Sequence, residues 1–323
     1  MSLSRIYATA ALSMAVLAGP IALATNASAQ NFPQKNIEII VHTGAGGPLD
    51  ALARSTAELL NKELGWSVRV ENRPGGNGEV ALARTRLQPA DGYTIQGVTS
   101  ALSNNFALGR SQIKLTDIEY LMTVQGEPSA LVVRSDSPLK TVNDYVDALK
   151  KKSNSLRVGG SGQGGNDFVQ FQLDGRAGLK TTWIPFDTAP EAVVALAGGH
   201  IDAAFLSVSS ALPQIKAGSF RVLAVSSAQR VPEMPEVPTM KEAGYDVQFV
   251  LWRGFIVKAG TPPEVTAAIK AGLTRIQQTE AWKTMMKTQQ QEYFVLDSAA
   301  FAALVARESE DLHVYYKANG LVQ

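Results

Sequence analysis

The sequence predicts an α/β fold with parallel sheets and helices on both sheet faces. Three observations carry this. Short β-branched runs alternate with amphipathic helical stretches along the chain. Helices open directly after strands, through loops rich in glycine. No floppy linker divides the 323 residues, so two domains are expected to be interleaved through crossing strands rather than strung in series.

Ile37–His42 is a compact β-branched run, as a buried parallel strand should be. Gly44-Ala45-Gly46-Gly47 follows, and a helix starts with Pro48 near its first position and Asp50 in its first turn. Leu49, Leu52, Thr56, Leu59, Leu60 and Leu64 share one face of it, and Gly65 ends it. Val68–Glu71 is a strand, Glu79–Leu87 a helix and Tyr93–Val98 a strand. The pattern then repeats. Leu131–Arg134 is a strand, Thr141–Lys152 a helix, and Leu156–Val158 a strand that runs into the glycine-rich stretch Gly159 to Gly165, with a helix after it. Thr181–Phe186 is a strand and Pro190–Leu196 a helix stopped by Gly198-Gly199. Ile201–Leu206, Arg221–Ser226 and Val247–Val257 are strand regions. Thr261-Pro262-Pro263-Glu264 reads as a capping box, and a last helix begins near Ser298.

The first residues form a separate signal. Arg5, an apolar stretch from Ala8 to Leu23, and Ala27-Ser28-Ala29 predict a secretory signal peptide over 1–29, cut before Gln30. An exported, periplasmic protein is expected. It has no cysteine, so it must be stable through its core alone. Loss of 1–29 removes Arg5 and no acid, leaving 29 basic and 29 acidic side chains. A balanced chain with 7% aromatic residues has no electrostatic footprint for nucleic acid or anionic lipid.

Metal and nucleophile patterns fail. His42, His200 and His313 are isolated from one another, without cysteine partners. Gly159-Gly160-Ser161-Gly162-Gln163 lacks the last glycine of a nucleophile elbow. No phosphate-cradling G-K-[ST] occurs. Gly160-Ser161-Gly162-Gln163-Gly164-Gly165 does match G-x-G-x-x-G, with Asp187 placed as a ribose-binding acid would be. A periplasmic NAD(P)-dependent oxidoreductase is therefore the alternative reading. The preferred reading is a binding protein without cofactor. The glycine loops end parallel strands, where open α/β sheets bind ligands, and backbone N–H groups at a helix start attract anions without Arg or Lys.

The chain also carries Gly46-Gly47-Pro48-Leu49-Asp50-Ala51-Leu52-Ala53-Arg54, Glu71-Asn72-Arg73-Pro74-Gly75-Gly76-Asn77-Gly78 and Pro89-Ala90-Asp91-Gly92-Tyr93-Thr94. Later come Gly198-Gly199-His200-Ile201-Asp202, Pro235 to Gly244 and Trp252-Arg253-Gly254-Phe255. In this order they resemble the motifs of the substrate-binding proteins of tripartite tricarboxylate transporters, the Bug family. The resemblance implies a type II periplasmic binding fold: two interleaved α/β lobes, 30–131 with 250–323 and 132–249, and a ligand cleft between them. It implies a monomer that captures a small carboxylate and serves integral membrane transporter subunits.

By the same resemblance the ligand is held by Thr43, Gly44, Ala45, Gly46, Gly47 and Pro48, and by Thr99, Ser100, Ala101 and Asn104. The second lobe would close with Ser161, Gln163, Asn166 and Asp187. The cleft-facing loops carry no cation for a third carboxylate and, beyond Asp187, no acid for an amino group, which favours a planar or aromatic dicarboxylate such as terephthalate, and Phe205 and Trp252, with Phe168, are candidate apolar walls. Two departures from the family pattern, His42-Thr43 and Phe186-Asp187-Thr188, are expected to face the ligand. Asp187 either does so or caps the helix at Pro190, and N-cap preferences favour the cap.

Overall fold

The computed structural model describes residues 32–161, 165–289 and 291–323. The expected leader at 1–29 and Gln163 lie outside them.

Two five-stranded sheets form the two halves. The first has β1 (Ile37–Val41), β2 (Val68–Asn72), β3 (Thr94–Thr99), β4 (Ile118–Gln125) and β10 (Arg253–Lys258), in the order β2-β1-β3-β10-β4. The second has β5 (Ser129–Arg134), β6 (Val158–Ser161), β7 (Trp183–Phe186), β8 (Ala203–Ser207) and β9 (Phe220–Val225), in the order β7-β6-β8-β5-β9. The second order repeats the plan of the first.

The sheets are not wholly parallel, as the alternation of elements had suggested. β1 runs parallel to β2 and β3, but β10 is antiparallel to both β3 and β4. β6 runs parallel to β7 and β8, but β5 is antiparallel to both β8 and β9. The reason is topological. A strand that crosses from one sheet enters the other at the end where the parallel strands finish, so it must run against them. β5 and β10 are those two strands. Only Gly126, Glu127 and Pro128 separate β4 from β5, so the chain is already in the second sheet at Ser129, a few residues before the expected boundary at 131.

The return crossing occupies most of the expected late strand region. Residues 247–252 are the passage, and strand begins at Arg253. The two passages are bonded to each other. Glu127 and Leu251 exchange backbone hydrogen bonds of 3.2 and 2.9 Å, and Pro128 bridges Val250. This paired ribbon joins the two halves and is labelled the hinge ribbon for that position alone.

Helices cover both faces of the first sheet. α1 (Pro48–Leu64), α8 (Pro263–Gln277) and α9 (Glu280–Thr288) cover Ile37, Ile39, Val41, Leu121, Phe255 and Val257. On the other face α10 (Ser298–Ala318) lays Phe301 and Val305 against Trp252, Ile256 and Tyr120. Alternate residues of β10 thus serve opposite cores, as the two-residue period of a strand requires. α2 (Glu79–Arg86) and α3 (Ala101–Ala107) complete this half. The second half carries α4 (Val142–Lys151), α5 (Asp167–Ala177), α6 (Ala189–Ala197) and α7 (Val208–Lys216).

Local signals behave largely as expected. Gly65 caps α1 in the left-handed region at φ 67°, and Thr141 with Asp144 forms a capping box on α4. The capping box expected at Thr261 does not form. Pro262 precedes α8, and the Thr261 hydroxyl donates to the Lys258 carbonyl at 2.7 Å instead.

Candidate ligand cleft

β1, β3, β6 and β8 all finish at the end of their sheet from which the hinge ribbon departs, so their following loops share the space between the halves. The loop after β1 leads into α1, which has 17 residues. Gly46 sits at φ 85° and Gly47 is the extended N-cap. Gly44, Ala45, Gly46 and Pro48 are exposed. The positive end of the helix and the exposed backbone around it make this turn attractive to an anion.

Its shape is imposed from beneath by a network that motif reading did not single out. Asp50 is 2% exposed. Its carboxylate accepts from the Gly46 N–H at 2.9 Å, from Arg54 Nε at 3.0 Å and from Asn72 Nδ2 at 2.8 Å. Asn72 also donates to the Thr43 carbonyl at 3.0 Å and accepts from Arg54 at 3.0 Å. Arg54, followed by the Gly46 and Asn72 bonds, holds the Asp50 pKa down at about 2. The Gly46 N–H is thus engaged inside the protein, while the residue itself stays exposed. The Asp and Arg of the first family motif and the Asn of the second are one scaffold for a loop.

After β3, the Ser100 N–H donates to the Trp252 carbonyl at 3.2 Å, and the Thr99 hydroxyl accepts from the Ala101 N–H at 3.2 Å. Thr99 and Ala101 are partly exposed. Asn104 is buried. Its side-chain oxygen accepts from the Tyr316 hydroxyl and its amide donates to the Ser100 carbonyl at 3.4 Å, so its side chain serves the protein rather than the cleft. His42 is half-buried. Its ring lies 3.3 Å from the Thr99 hydroxyl and packs beside Gly78, and burial lowers its pKa.

In the second half, Gly159 and Gly160 prove to be strand residues. A Cβ on either would stand 2.4 Å from a neighbouring backbone oxygen, of Ile184 or of Phe205. Close strand packing explains these glycines, and the first glycine of the dinucleotide-like match is therefore not part of a phosphate loop. Ser161 is partly exposed at the end of β6. Asn166, 4% exposed, accepts from the Ser129 hydroxyl at 2.6 Å and donates to the Ser161 carbonyl at 3.0 Å. It anchors the loop to the hinge.

Asp187 is exposed and does not cap α6. Thr188 is the N-cap, its hydroxyl accepting from the Glu191 N–H at 3.4 Å. Phe205 and Trp252 are both 0% exposed and belong to the cores of the two halves, as does Phe168. None is a cleft wall. The Trp252 indole N–H donates to Glu308 at 2.8 Å, deep inside the first half.

Sequence reading missed a fifth loop. β8 ends at Ser207, the N-cap of α7, whose hydroxyl lies 2.7 Å from that of Ser210. Ser209 donates to Glu127 in the hinge. Glu127 in turn pairs with Arg253 at 3.5 Å, and Arg253 donates to Gln291 at 2.7 Å. The run Ser207-Val208-Ser209-Ser210 at the end of a strand was the available signal. Among the described residues no group of three or more His, Cys, Asp or Glu is placed to hold a metal, and no helix is long and apolar enough to cross a membrane.

Residues 52–321 match the family described as tripartite tricarboxylate transporter family receptor. A UPF0065 protein of Agrobacterium vitis, from its ttuE–ttuC' intergenic region, is 31% identical over 283 residues, covering 85% of this chain and 78% of its own. A TctC solute-binding protein from Polaromonas, solved without ligand, superposes with a TM-score of 0.82 at 31% identity, over 90% of this chain and 98% of the other. The periplasmic binding protein BugD superposes with a TM-score of 0.66 at 26% identity, over 90% of this chain and 99% of its own. Two Rhodopseudomonas palustris proteins, one solved with adipate and one with malate, share the fold at 23% identity, with TM-scores of 0.69 and 0.65. They cover 90% and 87% of this chain and 98% and 99% of their own. Motifs, sheet topology and these likenesses agree: the chain belongs to the family of tripartite tricarboxylate transporter receptors, which are solute-binding proteins and not enzymes.

Proposed function

We propose that this chain is a periplasmic receptor that captures a small carboxylate between its halves and presents it, as a monomer, to membrane transporter subunits. The observation that carries the reading is the exposed Gly44–Gly46 turn at the start of α1, which, like Ser161 and the Ser207 to Ser210 loop, lies at a strand end from which the crossing ribbon departs. Neutral donors at a helix start suit a carboxylate. Thr43, Gly44, Ala45, Gly46, Gly47 and Pro48, with Thr99, Ser100 and Ala101, supply the first side. Ser161, Gln163 and Asp187 supply the second. The three rings expected as apolar walls for an aromatic ligand are buried in the cores and lend it no support. Dicarboxylates of the size of malate and adipate, the ligands of two fold relatives, become the first candidates.

A thermal-shift screen over malate, adipate, citrate, acidic amino acids and terephthalate should show stabilisation by at least one of them, since a ligand that binds only the folded state raises its stability. Gly46→Val is the control. No atom crowds a Cβ there, but φ 85° suits glycine and strains valine, so the variant should stay folded and lose the shift. A full screen without any shift, or an equal shift in Gly46→Val, contradicts the reading.

Export supplies a separate check. Mass spectrometry of protein from a periplasmic extract should find the chain beginning within a residue or two of Gln30. Native protein that retains Met1 contradicts the periplasmic assignment.

A further inference from the structure

α10 belongs to the first half at its start and to the second half at its end. Its 21 residues span about 30 Å at the usual helical rise. Phe301 and Val305 lie on the first sheet, whereas Leu312 and Tyr316 join the core that holds Phe168, Leu173 and Phe249 of the second half. The Tyr315 ring packs against Phe171 and Phe168 of α5, with centroids 4.8 and 5.8 Å away.

Two neighbouring phenols on this helix end reach one candidate ligand segment each. The Tyr316 hydroxyl donates to Asn104, in the segment after β3. The Tyr315 hydroxyl donates to Asp167 Oδ2 at 2.6 Å, directly after Asn166. Asp167 Oδ1 meanwhile accepts from the Gly165 and Phe168 N–H groups, each at 2.9 Å, and so shapes the loop that leads into α5. The two rings lie 5.2 Å apart.

We propose that Tyr315 and Tyr316 are positioning residues that fasten a ligand segment of each half to one helix end, so that the two segments are set relative to each other from behind the cleft. The functional sense of this rests on the carboxylate-receptor reading, but its structural content does not. Burial raises both phenol pKa values, so both groups remain neutral donors at neutral pH. Separation of α5 from α10 must break the Asp167 bond and uncover the Phe168 and Phe171 contacts.

Hydrogen exchange on ligand-free protein tests this without needing a ligand. Tyr315→Phe keeps the ring and removes the donor, and should speed exchange of the Gly165 and Phe168 amides by about tenfold, the loss of one useful hydrogen bond. Tyr316→Phe should do the same for the Asn104 amide. Tyr315→Ala, which also removes the aromatic contact, should enlarge the radius of gyration in small-angle scattering. Unchanged exchange at these amides overturns the proposal. So does a uniform rise across the chain with a lowered melting temperature, which would show a merely structural role. A failed carboxylate screen together with the expected exchange pattern would overturn the functional reading and leave the anchor standing.

Discussion

Replacing Arg253 by methionine is expected to cost about 3–5 kcal/mol of folding stability, the largest effect of any single substitution considered, because it leaves a buried carboxylate without its cation. Arg253 and Glu127 are 9% and 8% exposed, and they join the start of β10 to the outgoing passage of the hinge ribbon. Desolvation lowers the Arg253 pKa, while Glu127 works against that shift. Glu127→Gln should also be costly, since it strips Arg253 of its counter-charge and weakens the acceptor used by Ser209. The double variant Glu127→Gln/Arg253→Met should be less unstable than the sum of the two single changes. Urea denaturation of the four proteins measures this directly. Additive single effects would mean that the pair is not coupled, and that the hinge is held by its backbone bonds alone.

Asp50→Ala is expected to have the largest effect on binding. It removes the acceptor for Gly46, Arg54 and Asn72 together, so the turn before α1 loses the groups that set its shape. A stability loss of about 2–3 kcal/mol is expected from several charge-assisted bonds, discounted because Arg54 is half exposed to water. Affinity should fall by about a hundredfold or more, because exposed backbone donors bind an anion only in a fixed arrangement. The network also gives stability a pH dependence of known sign. The folded-state pKa of Asp50 is depressed, so its contribution is complete above the ordinary aspartate range near 4 and disappears as pH falls through about 2. Asp50→Ala should flatten that part of the acid-denaturation curve. Calorimetry showing wild-type affinity in Asp50→Ala would mean that the loop takes its shape from elsewhere.

Much of the fold was legible in the residues, and the exceptions have physical causes. Compact apolar runs announced β1, β3, β8 and β9 within a residue or two. β4 escaped notice because Ile118–Gln125 is buried on both faces at nearly every position and shows no two-residue alternation. α3 is short and polar, and α7 carries Pro213 inside it, so neither shows an ordinary helix pattern. Strand direction leaves no trace in composition. Leu131-Val132-Val133 reads the same whichever way its neighbours run, and only the crossing topology makes β5 antiparallel.

The site was legible in outline but not in the orientation of its side chains. The glycine turn, Thr99 and Ser161 fall where the strand ends put them. Asn104 and Asn166 sit in the expected segments and turn inward, because their partners, Tyr316 and Ser129, lie far away in sequence. Thr188 and Asp187 are both good N-caps, and one residue of register decides between them. Phe205 and Trp252 show how little residue type says about a cleft wall, since an apolar ring serves a core equally well.

The central claim is that a small carboxylate bridges the two halves and so favours the closed arrangement, because a ligand touching both has higher affinity for that state. Small-angle scattering with and without a saturating carboxylate, its binding first verified by calorimetry, tests this most directly. The account predicts a smaller radius of gyration with ligand bound, and unaltered ligand on release. An unchanged scattering curve at saturation would contradict the clamp, and a chemically altered ligand would contradict the receptor reading itself.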